Sequence, residues 1–163
     1  MNLVRKLLLL SFAFLVTTCT IHMAWAGEPP ADLCSLLPSS DVSKIMGQTY
    51  GAPEKSVAPR PFANTNTGTD CHYHAKSGHV VWFRAYVDPS PAAATELFDK
   101  LSKWFGTKTP VNGLGDEAYF DQKHAIHVRK GKVRFYIDLS VDNFTPTIEN
   151  QIKDLTSEVI GKL

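Results

Sequence analysis

Three histidines are the side chains in this chain best suited to chemistry. His72 and His74 stand two apart in a strand-forming stretch, Cys71 to Ala75, so both imidazoles project from one face. His127 shares a strand face with Arg129, opposite Ile126 and Val128. Brought together, His72, His74 and His127 would offer zinc or copper a set of imidazole ligands. Against this, no neighbouring Asp, Glu or free Cys completes the set, because Cys71 points the other way. A His-x-His pair on a polar strand face is also common solvated decoration. No other motif implies a cofactor.

A second group mixes aromatic and cationic side chains. If strand alternation holds, Trp82, Arg84, Tyr86, Arg134 and Tyr136 lie on one sheet face. Aromatics interleaved with arginine are enriched at contact surfaces and can stack on a sugar, an aromatic ligand or a partner. The competing expectation is that a helix layer covers this face, since the chain has helices enough for both sides.

Other signatures are missing. Gly113-Leu-Gly-Asp-Glu-Ala118 lacks the Lys-Ser/Thr of a phosphate loop and the strand-before, helix-after setting of a dinucleotide fingerprint; it reads as a tight turn. Asp116 and Glu117 are adjacent and would point oppositely in a strand, a poor acid–base pair. The chain contains no Gly-x-Ser-x-Gly, no His-Glu-x-x-His and no Ser-x-x-Lys. The expectation is therefore a protein that is not an enzyme.

The elements that must position these residues alternate between two periods. Pro38 to Gly47 predicts a helix capped by Ser39 or Ser40, with Val42, Ile45 and Met46 on one face. Gln48 to Asp70, broken by Pro53, Pro59 and Pro61, reads as a long irregular loop. Cys71–Ala75 and His79–Val87 predict a hairpin. Ser90-Pro91 opens a second helix with Ala93, Leu97, Leu101 and Trp104 at helical spacing. Short strands follow at Glu117–Asp121, His124–Lys130 and Lys132–Val141. In the last, Val133, Phe135, Ile137, Leu139 and Val141 alternate with polar residues. Thr145-Pro146 starts a final helix striped by Ile148, Ile152, Leu155 and Val159. The order α-ββ-α-βββ-α predicts an α+β fold: a mostly antiparallel sheet of about five strands with helices packed on it.

The ends and bulk composition bound the compartment. Arg5 and Lys6 precede the apolar run Leu7–Val16, and Ala24-Trp25-Ala26 places small residues before Gly27. Those three parts make residues 1–26 a secretory signal peptide and 27–163 a single exported domain. Cys19 could instead carry a lipid anchor, but Thr18 before it is a poor match to that processing site. The remaining 137 residues hold 15 basic and 16 acidic side chains, near neutrality, which excludes a general attraction to nucleic acid. No second apolar run is long enough for a transmembrane segment. Two cysteines remain, Cys34 and Cys71, an even pair that export would join as a disulfide.

Several of these segments together resemble a known family. Cys34-Ser-Leu-Leu-Pro-Ser-Ser-Asp-Val, Cys71-x-Tyr73, Pro110-Val-Asn-Gly-Leu-Gly-Asp-Glu-Ala-Tyr119 and Val128-Arg-Lys-Gly131 are similar to small bacterial exported proteins and lipoproteins of unknown function, of actinobacterial type. The resemblance implies a disulfide and an α/β sandwich like that of the photosystem II extrinsic P subunit. It implies no activity and no catalytic residues. The resulting expectation is a periplasmic or secreted non-catalytic protein that binds a protein or cell-envelope partner. The alternative is a small-molecule or metal binder using His72, His74 and His127, or a pocket beneath the Gln48–Asp70 loop; a hydrolase of unrecognised type is the third reading.

Overall fold

The computed structural model describes residues 28–63, 65–106, 109–141 and 143–163. The expected signal peptide, with Cys19, lies outside them. Seven antiparallel strands form one sheet: β1 (Glu54–Ala58), β2 (Gly68–His74), β3 (Val80–Val87), β4 (Thr109–Pro110), β5 (Glu117–Phe120), β6 (Ile126–Lys130) and β7 (Val133–Ser140), in the spatial order β1-β2-β3-β7-β6-β5-β4. Three α-helices accompany them: α1 (Ser39–Met46), α2 (Pro91–Trp104) and α3 (Pro146–Ile160). The fold is α+β as expected, but the sheet has seven strands rather than five.

The two extra strands sit at the rims. β1 falls inside the segment expected to be irregular. Four of its five side chains are exposed, so Glu54-Lys55-Ser56-Val57-Ala58 carries no buried alternation to read. It pairs only with β2. β4 is two residues long, one of them a proline, and pairs only with β5.

The alternation of β7 works as expected. Val133, Phe135, Ile137 and Leu139 are buried on one face, with Val81, Phe83, Ile126 and Val128 from the neighbouring strands. Helices α1 and α3 lie over that face. Ile152, Leu155 and Val159 of α3 and Val42 of α1 complete the core. Gln151 Nε2 donates to the Ile45 carbonyl and ties the two helices together.

A short 3₁₀ turn, Leu33–Leu36, precedes α1 and packs on β2. Cys34 is disulfide-bonded to Cys71, with Cα atoms 5.8 Å apart. Tyr73, on the same face of β2, donates its buried hydroxyl to the Leu37 carbonyl.

Two of the three expected caps hold. Ser90 Oγ accepts from the Ala93 amide and Thr145 Oγ1 from the Ile148 amide. At α1 the cap position is Pro38, and Ser39 and Ser40 are already helical. No described helix is long and apolar enough to cross a membrane.

Candidate functional site

The second sheet face is the chemical one. Opposite the core side chains, β2 presents Asp70 and His72, β3 presents Trp82, Arg84 and Tyr86, and β7 presents Arg134, Tyr136 and Asp138; β6 adds His127 and β5 Tyr119. Helix α2 crosses only part of this face. It buries Ala94, Phe98 and Ser102, and the Phe98 ring meets Tyr119 with centroids 5.2 Å apart. The expected stripe through Trp104 is not core: Trp104 is 69% exposed. Between the end of the helix and the sheet there is open space.

That space is a groove of about 400 Å³. One wall is Pro59, Arg60 and Pro61, which follow β1 directly. The other is Leu101, Trp104 and Phe105 at the end of α2. The floor is Trp82, Arg84, Tyr86, Tyr136, Asp138 and His127, and Asp121, Lys123 and Ala125 close one end. The described lining contains no serine, threonine or cysteine.

Local packing sets the first wall. A Cβ at Gly68 would lie 2.6 Å from the Tyr86 ring, so glycine there lets the ring rest on β2. From that position Tyr86 donates its hydroxyl to the Pro59 carbonyl at 2.9 Å. The two walls meet where the Phe62 and Trp104 rings approach to 6.2 Å.

Most charges on this face are already paired. Arg84 donates Nε and Nη2 to the two carboxylate oxygens of Asp70, and its guanidinium lies 5.2 Å from the centre of the Tyr136 ring. Arg134 does the same with Asp88, fully inside the protein, and sits 5.1 Å from the Tyr86 ring. These are planar, bidentate pairs, each guanidinium set over one tyrosine ring, an arrangement that suits arginine and not lysine. Burial, against the pull of the Arg84 guanidinium, pushes the Tyr136 phenol up to about 12, so it is neutral at any ordinary pH.

His127 is also fixed. Its Nε2 lies 2.9 Å from Asp121 Oδ2, its ring stacks on Tyr119 at 4.9 Å, and Phe105 covers it at 4.7 Å. Asp121 Oδ1 accepts the amides of Lys123 and Ala125. Burial pulls the Asp121 carboxyl upward, but His127 and the two amides outweigh it, and the net direction is downward.

Asp138 differs. No side chain forms an ion pair or a hydrogen bond with its carboxylate among the described residues, and it is only half-buried. Burial raises its pKa and the nearby Asp121 charge adds to the rise; a hydrogen bond from the Leu139 backbone amide and the charges of His127 and Lys123 work the other way without reversing it.

The three histidines proposed as metal ligands do not meet. His72 and His74 lie on β2 and His127 on β6, with β3 and β7 between them, a separation of roughly three strand spacings or 14 Å. Among the described residues no group of three His, Cys, Asp or Glu side chains could hold a metal ion. His72 instead stacks on Trp82, ring centroids 5.0 Å apart. His74 lies 3.6 Å from Glu54.

The aromatic and arginine set does share one face, and α2 divides it. Tyr86 and Arg134 are buried, whereas Trp82 remains 40% exposed and Arg84 and Tyr136 line the open groove. Neither expectation, a bare face or a covered one, describes it whole. The sequence reading missed Asp138 and Asp121 as site residues. Asp138 had a signal, since the alternation of β7 already assigns it to this face. Asp121 had none, because its role depends on a loop folding back to His127.

No family model matches the chain, and no curated protein matches it. Among solved structures it is similar to the extracellular domain of PknH from Mycobacterium tuberculosis, with a TM-score of 0.52 and 13% identity, over 81% of this chain and 97% of that one. At that identity the likeness speaks for the fold alone.

Proposed function

We propose that the protein is an extracytoplasmic binding domain that takes a small ligand in the groove between the sheet and the end of α2. The observation that carries this reading is the groove itself: an apolar, aromatic-lined concavity with a few polar groups at its floor, of a volume that suits a small organic molecule. The Cys34–Cys71 disulfide and the extracellular structural neighbour support a location outside the cytoplasm. Binding is favoured over catalysis because the described lining offers no serine, threonine or cysteine nucleophile. The groove favours a small molecule over the protein or envelope partner expected from sequence, because it is concave rather than a flat patch.

Soaking crystals of the disulfide-intact protein in a library of small organic fragments tests this reading. Bound fragments should concentrate between Arg60 and Trp104, above Trp82 and Tyr136. Fragments scattered over the surface with no preference for this groove would remove the basis of the proposal.

A further inference from the structure

The charges of the groove do not balance in a symmetrical way. The Arg84 guanidinium is engaged by Asp70 through two donors and faced by Tyr136. The Asp121 carboxylate is engaged by His127 and two backbone amides. Arg60 and Lys123 are exposed at the rim. On the floor, Asp138 is the carboxylate left without a side-chain partner among the described residues, and it is reached from the groove.

Its neighbour across the ladder is Trp82. Directly opposed residues of antiparallel strands have Cβ atoms about 5 Å apart, so an indole and a carboxylate stand side by side here. One face of the Trp82 ring is occupied by His72, which does not line the groove, and Trp82 does. Ala125 contributes only a methyl group to the same end of the groove, which leaves room beside Asp138.

Resting on the groove reading above, we propose that the ligand is a small organic cation, an amine or quaternary ammonium on an apolar body. Its charge sits against Asp138 and the Trp82 ring, and its apolar part lies along Tyr136 and the end of α2. An aromatic face beside an acid attracts such a cation through both the ring quadrupole and the carboxylate charge. The environment that raises the Asp138 carboxyl is one that a bound cation would relieve. An anionic ligand would find the buried guanidiniums consumed by Asp70 and Asp88; its attraction would come from Arg60 and Lys123 at the exposed rim, where solvent screens them, and Asp138 on the floor would repel it.

Three ring compounds of similar size separate the possibilities: benzylamine, cationic at neutral pH, benzyl alcohol, neutral, and benzoate, anionic. Each is titrated into ¹⁵N-labelled, disulfide-intact protein, following the Trp82 indole N–H and the backbone amides by NMR. Benzylamine should bind in the groove at least about fivefold more tightly than benzyl alcohol, and benzoate should be the weakest. Asp138→Asn should abolish the preference for benzylamine and leave the affinity for benzyl alcohol where it was. Trp82→Ala should weaken both. Benzyl alcohol or benzoate binding the groove as tightly as benzylamine, or a preference that survives Asp138→Asn, overturns the cation and leaves the groove reading standing. Shifts that avoid Trp82 and Tyr136 with all three compounds overturn both.

Discussion

Cys71 and Tyr73, two positions apart on β2, hold the same short segment: Cys71 through its sulfur to Cys34, and Tyr73 through its hydroxyl to the carbonyl of Leu37. The spacing explains the pairing. Residues i and i+2 of a strand share a face, and that face lies under the 3₁₀ turn that leads into α1. One attachment is covalent and acts mainly on the unfolded chain, and the other acts on the folded one.

Replacing Cys34 and Cys71 together by serine should lower the free energy of unfolding by about 3–4 kcal/mol, the chain-entropy value for a closed loop of about 38 residues. Urea denaturation of the variant against the oxidised protein measures it. An unchanged midpoint would show that the bond does not restrain the unfolded ensemble.

Tyr73→Phe should cost about 1–2 kcal/mol, because it keeps the ring and strands the buried Leu37 carbonyl. Burial pushes the Tyr73 phenol well above its usual range, so it stays a donor throughout the accessible pH range. The loss should appear in denaturation with the disulfide intact. A neutral result would mean that water replaces the hydroxyl at that carbonyl.

Two glycines of one turn should respond differently to alanine. Gly113 and Gly115 both have positive φ, 83° and 64°, but open space surrounds the first. At the second a Cβ would lie 2.5 Å from the Arg129 carbonyl oxygen, which accepts the Asp116 amide at 2.8 Å. Gly113→Ala should cost about 1 kcal/mol. Gly115→Ala should cost about 2–4 kcal/mol, since conformational strain adds to the clash and the turn must part from β6. Thermal unfolding of the two variants side by side decides, and equal losses would contradict the contact.

Asp138→Asn should stabilise the protein at neutral pH. The carboxyl has a raised pKa in the folded state, so its ionised form weakens folding at any pH above that value. As pH falls below about 4 the group is protonated in both folded and unfolded chains, and the difference should vanish. Melting temperatures of the two proteins between pH 3 and 8 give the test. A variant less stable than the parent at pH 7 would mean that the Leu139 amide and nearby cations hold the carboxylate more strongly than burial opposes it.

Much of the architecture could be read directly. The alternation of β7, the hairpin formed by β2 and β3, and the caps Ser90 and Thr145 are local patterns, and the structure repeats them. What escaped has a common cause. β1 has no buried face to leave a mark, and Trp104 keeps helical spacing although it stays mostly exposed, outside the core. The histidines were grouped by strand face, which is legible, but strand order is not, and β3 and β7 separate them. The groove needs three distant segments to converge: the chain after β1, the end of α2 and the middle of the sheet. No local pattern encodes that meeting.

The two outer strands have a consequence for how this molecule behaves in a crowd of its own kind. A sheet whose rims are open can be extended by any passing chain, which is how fibres start. Here Pro53 and Pro59 bracket one rim and Pro110 stands in the other, each lacking an amide hydrogen, while Glu54 and Lys55 add charge to the first. These residues oppose strand addition at both margins, beside a face that leaves Trp82 and Trp104 open to water.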